Sequence, residues 1–135
     1  MAWLKKQAIW DTRLRASALS GEQAEKLACN YLQKRGLKLL ERNFRTRRGE
    51  IDLIMQHKSC LVFIEVRFRQ SADYGSAEES IGPIKCNHLK VAALAYLQQR
   101  HQSMDIESRF DAVAIGRGRR QSDYFAINWV QNILL

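Results

Sequence analysis

Two apolar runs separated by a polar pair constrain this 135-residue chain more than any other feature. In residues 50–56, Ile51, Leu53 and Met55 alternate with Glu50, Asp52, Ile54 and Gln56, the period of a strand with two distinct faces. Cys60 to Arg67 is β-branched and aromatic, the composition of a buried central strand. If Lys58-Ser59 forms a two-residue turn, the predicted hairpin sets Asp52 directly opposite Glu65, and Glu50 opposite Arg67 as an ion pair. Opposed residues share a face with Cβ atoms about 4.5–5.5 Å apart. Two carboxylates so placed repel unless a cation lies between them, and hard oxygen ligands at that spacing suit Mg²⁺ or Mn²⁺. The simpler alternative is that Arg67 alone satisfies Glu65 and that Asp52 is unrelated. An odd-length unbulged loop would also separate the two acids onto opposite faces.

The rest of the chain predicts elements that can flank such a hairpin. Ser20 and Gln23 have capping-box spacing, and Ala24, Leu27, Ala28, Tyr31 and Leu32 recur as one helical stripe that Gly36 ends. Leu37 to about Phe44 reads as a strand. Pro83 suits the first turn of a second helix through about Arg100, with Ile84, Leu89, Ala92, Ala93, Tyr96 and Leu97 as its apolar face. Residues 68–81 read as a loop, Phe110 to Ile115 as a strand, 116–123 as a turn, and Tyr124 to Val130 as a last strand. The order α-β-β-β-α-β-β, with a crossover helix before a parallel strand, predicts an α/β fold: a mixed sheet flanked by helices. Residues 1–19 read as an arm or a short extra helix, and 20–135 as a single domain.

Composition narrows the function classes. Lys plus Arg number 22 against 14 Asp plus Glu, a net charge of +8, which favours polyanionic partners and nucleic acid first among them. Three cysteines without Cys-x-x-Cys spacing argue against a disulfide framework or a thiolate zinc site. His57, His88 and His101 are scattered and read as surface residues. No apolar run is long enough to cross a bilayer and no secretory signal is visible, so a cytoplasmic setting is expected.

At this point Gly49-Glu50-Ile51-Asp52-Leu53-Ile54, followed by Val62-Phe63-Ile64-Glu65-Val66-Arg67, resembles the YraN-like family of endonucleases in the PD-(D/E)xK superfamily. The likeness continues through Ala24-Glu25, Ala28, Tyr31-Leu32, Arg42-Asn43, Gly75, Lys85 and Arg109-Phe110-Asp111, roughly residues 20–115. The resemblance implies a restriction-endonuclease-like three-layer core close to Holliday-junction resolvases. It implies metal-dependent hydrolysis of DNA, branched or single-strand-containing DNA included, with Mg²⁺ or Mn²⁺ as cofactor and a homodimer for paired cuts. Asp52 and Glu65 become metal ligands, with the Val66 carbonyl as a third and Glu25 completing the site.

Arg67 departs from the pattern, which has lysine there. Arginine stays protonated and cannot act as a general base, although it can grip a phosphate. Either the metal alone generates the nucleophile, or another lysine helps, or the domain binds without cutting. Lys85 is the candidate substitute: a cation near a helix start opposes the helix dipole by about 0.3–1 kcal/mol, a cost that a ligand would explain and that an exposed lysine also tolerates. Arg42, Arg45, Arg47, Arg48 and Arg69 form an expected phosphate-gripping rim. Arg117, Arg119 and Arg120 mark a second basic turn, either a phosphate contact or a solvated loop. Trp10 and Tyr74 read as packing residues before base-stacking ones, and Asp111 as an ion-pair partner of Arg109 before a catalytic acid. A binding module without activity and a basic protein-interaction domain are the competing functions.

Overall fold

A computed structural model of the chain describes residues 20–69, 82–100, 105–117 and 125–134. The sequence readings of 1–19, Tyr74, Gly75, His101, Arg119 and Arg120 lie outside these residues, as do the side chains of Arg69 and Arg117. In chain order the elements are α1 (Gly21–Gln33), β1 (Leu37–Arg45), β2 (Glu50–His57), β3 (Cys60–Arg69), α2 (Pro83–Gln99), β4 (Ser108–Arg117) and β5 (Phe125–Val130). The expected order holds. Strand β3 extends through residues 68 and 69 and β4 through Gly116 and Arg117, where loop and turn were expected.

The five strands lie in sequence order, β1-β2-β3-β4-β5. All neighbouring pairs are antiparallel except β3 and β4, which are parallel and joined through α2. Only a crossover connection can join parallel neighbours, and α2 supplies it. Helix α1 buries Ala24, Leu27, Ala28, Tyr31 and Leu32 on one face of the sheet, against Leu53, Met55, Val62, Ile64, Val113 and Ile115. Helix α2 buries Leu89, Ala92, Ala93, Tyr96 and Leu97 on the other face, against Phe44, Ile51, Ile54, Leu61 and Phe63. This three-layer α/β arrangement is consistent with a restriction-endonuclease-like fold. Ile84 does not join the α2 face; it is 73% exposed.

Local chemistry accounts for the boundaries. The Ser20 hydroxyl accepts the Gln23 N–H at 3.1 Å and the Gln23 amide oxygen accepts the Ser20 N–H at 2.8 Å, a complete capping box. Gly36, at φ +96°, takes the left-handed conformation after α1. Lys58 and Ser59 form the two-residue turn. At its far end α2 is held to β1 by Arg100, which donates to both oxygens of Glu41, at 3.0 and 2.6 Å.

Candidate active site

The β2–β3 ladder runs from His57↔Cys60 to Leu53↔Ile64, the register that the even turn dictates. One step further the ladder opens. Asp52 Oδ2 accepts the Val66 N–H at 2.8 Å, a side chain standing in for a backbone acceptor. The strand also changes face here. Leu53 and Met55 pack with α1, yet Ile51 packs with α2, which strict alternation forbids. The expectation that Ile51, Leu53 and Met55 share one face is therefore corrected. On the neighbouring strand Asn43, at φ +50°, sits between the paired positions Arg42↔Leu53 and Phe44↔Ile51, so both strands switch faces at the same level. Asparagine tolerates the left-handed region better than most residues.

This switch lets one carboxyl reach both layers. From α1, the Glu25 carboxyl comes within hydrogen-bonding reach of Asp52 and Asn43. From β3, Glu65 turns towards α2, where Lys85 Nζ lies 3.2 Å from its Oε2. Burial raises the titration of all three acids above their ordinary range. The Asp52 charge pushes Glu25 and Glu65 further up, while Lys85 and Arg67 pull Glu65 back down. For Asp52 the Val66 N–H opposes the effect of burial, as does a hydrogen bond with Glu25. That bond needs one proton. Its effect is to raise Glu25 and to lower Asp52.

Arg67 shares the Glu65 face of β3, and its Nη1 is buried with no hydrogen-bond partner among the described residues. The expected Glu50–Arg67 pair does not form. The ladder ends before that level, and Glu50 instead pairs across β1–β2 with Arg45, Nε to Oε1 3.3 Å. The described arginines of the expected rim have different surroundings. Arg42 lies opposite Leu53, near enough to the Cys29 thiol of α1 to oppose its upward shift, whereas Arg45 and Arg48 line a cleft beside α2. Arg47 is exposed at the turn.

Asp52 and Glu65 are hard oxygen donors whose charges repel, the donor set that a Mg²⁺-type ion takes. Among the described residues no three His, Cys, Asp or Glu side chains gather as a metal-holding group. A Mg²⁺-type ion needs no such cage, since it binds through one or two carboxylates and keeps several waters. The residues fit on that basis. Lys85 already brings a positive charge against Glu65.

Two participants escaped the sequence reading. Asn43 carries a signal of its own, since a residue of low strand propensity lies inside a strand. Gly49 has close approach as its reason: a Cβ there would stand 2.6 Å from the His88 carbonyl oxygen of α2. Asp111, fully buried, accepts from Arg109 Nε at 2.9 Å, Trp129 Nε1 at 3.0 Å and the Asn132 N–H at 3.0 Å, an ion-pair role. His57 is not a free surface residue. Its Nδ1 lies 3.1 Å from Arg109 Nη2 and its ring packs against Trp129. None of the helices among the described residues is long and apolar enough to cross a membrane.

A family model described as "Uncharacterised protein family UPF0102" matches residues 24–115. A UPF0102 protein of Nitrosococcus oceani is 53% identical over 95 residues, covering 70% of this chain and 77% of that protein. One from Coxiella burnetii is 45% identical over 115 residues, 84% of this chain and 90% of its own length. One from Janthinobacterium sp. is 44% identical over 119 residues, 88% and 89% respectively.

Proposed function

The chain belongs to the UPF0102 family, and from that membership and the geometry above we propose that it is a metal-dependent DNA endonuclease of the PD-(D/E)xK kind, working in the cytoplasm. The observation that carries the reading is the meeting of Asp52, Glu65 and Lys85 at the open end of the β2–β3 ladder. Helix α2 delivers a lysine to the acid whose own strand carries Arg67 where the pattern has lysine.

Asp52 and Glu65, with the Val66 carbonyl, would hold Mg²⁺ or Mn²⁺. The chemistry such an ion supplies when bound is acidification of a water and neutralisation of charge on the phosphate. Glu25 keeps Asp52 in place through their hydrogen bond and Asn43 orients Glu25. Arg67 has a buried N–H with no partner among the described residues, and a non-bridging phosphate oxygen supplies an acceptor for it. Lys85, on a helix and not on the strand, stabilises charge that develops on the phosphate. The +8 net charge raises the local concentration of DNA around this acidic centre.

The test is cleavage of a DNA panel (duplex, single-stranded, splayed and four-way) with Mg²⁺ or Mn²⁺, by wild type and Asp52→Ala. Cutting that needs both the metal and Asp52, with binding retained in the variant, is the expected result. Salt-sensitive binding without cutting by rigorously purified wild type would leave a binding module. Absence of DNA affinity even at low salt would leave a protein-interaction domain.

A further inference from the structure

Lys85 belongs to two places at once. Besides touching Glu65, it forms part of the wall of a cleft of about 360 Å³ between the β1–β2 turn and the start of α2. Arg45, Thr46 and Arg48 line one side, Lys85 and His88 the other, and Leu89, only 2% exposed, closes the floor. The walls are built. Thr46 Oγ1 accepts from Gly49 N at 3.0 Å and Arg48 N at 3.2 Å and donates to the Gly49 carbonyl at 2.9 Å, which fixes the turn. Gly49 lies so close to the His88 carbonyl that turn and helix meet backbone to backbone.

Shape and charge select the occupant. Three cations face one carboxylate, Glu50, which Arg45 already pairs. The volume lies at the small end of ligand pockets, about 300–1,000 Å³. A duplex, whose major groove alone is about 12 Å wide, cannot enter such a space, whereas one nucleotide can. The apolar floor beside an imidazole suits a sugar or base, and Arg48 and Lys85 suit its phosphate.

We propose that this cleft is a nucleotide subsite that holds one unpaired nucleotide of the strand running past Glu65, so that the preferred substrate carries a single-stranded segment at the cut. The proposal rests on the nuclease reading for its connection to cleavage, but its binding arm stands apart from it. Arg48 contacts the phosphate and His88 the sugar or base.

The experiment measures binding in EDTA to the full-length chain, so that neither cleavage nor metal enters. Inorganic phosphate, thymidine 5′-monophosphate, a short oligothymidylate and a duplex of equal length are titrated while the Thr46–Gly49 and His88 amides are followed by NMR. Expected are shifts at those amides with the monophosphate that free phosphate does not reproduce, and tighter binding of the oligothymidylate than of the duplex. Arg48→Ala should weaken oligothymidylate binding about tenfold, the scale of one charged hydrogen bond, and reduce the salt slope by about 0.7. His88→Ala should weaken thymidine monophosphate binding and leave that slope unchanged. Lys26→Ala, an exposed charge on α1, controls for net charge. Equal losses from Arg48→Ala and Lys26→Ala, shifts reproduced by phosphate alone, or equal affinity for duplex and single strand would each overturn the subsite. Asp52-dependent cutting that survives such a result keeps the nuclease reading. Subsite binding without any cutting overturns that reading alone.

Discussion

Substituting Gly49 by alanine separates two effects of opposite sign. Among the described glycines only Gly36 has a positive φ, so the Gly49 backbone suits an L-residue. Were space the only other consideration and were it free, alanine would stabilise the protein by about 0.4–1 kcal/mol through the unfolded chain. Space is not free. The added Cβ would lie 2.6 Å from the His88 carbonyl oxygen and 3.1 Å from its carbonyl carbon, short of an ordinary 3.4 Å contact by about 0.8 Å at the oxygen. These are backbone atoms of a helix that is fixed at its other end by Arg100 and Glu41, so no side-chain rotation relieves the clash. Overpacking of this kind costs about 1–3 kcal/mol. The balance is a loss of up to about 2.6 kcal/mol, or a Tm lower by up to roughly 10 °C for a domain of this size. The helix must also move near His88, one turn beyond Lys85, so the 3.2 Å contact with Glu65 should lengthen and the Glu65 carboxyl should titrate higher. Thermal unfolding by circular dichroism and carboxyl carbon shifts against pH read both. A Tm that rises would refute the close approach and with it the account of how α2 is held.

The raised acids set a pH dependence. A carboxyl whose folded titration lies above its unfolded one favours folding when protonated, so without divalent ions stability should fall as pH rises from the ordinary 3.8 of Asp52 and 4.5 of Glu25 and Glu65. Urea melts across pH 3–8 should show this fall, and Asp52→Asn should reduce it, lower the titrations of Glu25 and Glu65, and abolish metal-dependent cutting. Arg67→Met removes an N–H without a partner among the described residues and with it the charge that draws Glu65 down, so DNA affinity should drop and the Glu65 carboxyl should titrate higher; carboxyl carbon shifts against pH that leave Glu65 unchanged would contradict that contact. Asp111→Ala leaves Arg109 without its carboxylate in a largely buried position and should cost about 3–5 kcal/mol in chemical denaturation, a penalty that a surface ion pair would not produce.

Much of this was legible in the sequence because the determining interactions are local. The Ser20 capping box, the Gly36 stop and the Lys58-Ser59 turn each depend on a few adjacent residues, and the even turn alone fixes the β2–β3 register up to Leu53 and Ile64. Beyond that pair the outcome depended on tertiary structure. Alternation cannot show that Asn43 adopts φ +50° and turns Phe44 to the α2 layer, nor that Ile51 follows it. Extending the ladder past its real end produced the expected Glu50–Arg67 pair, while Arg45, directly opposite Glu50 in the other hairpin, pairs with it instead. The meeting of Lys85 with Glu65 depends on the phase of α2 against the sheet, which Gly49 and His88 set through contacts remote in sequence.

The change of face at Asp52 has a consequence for how the molecule comes apart. A strand that anchors α2 through Ile51 and Ile54 and α1 through Leu53 and Met55 cannot release either helix without disturbing both. Amide protons under α1 and α2 should therefore exchange through one shared opening, with similar protection, and not as two separate cooperative units. The acids at that crossing would then be assembled or dispersed together.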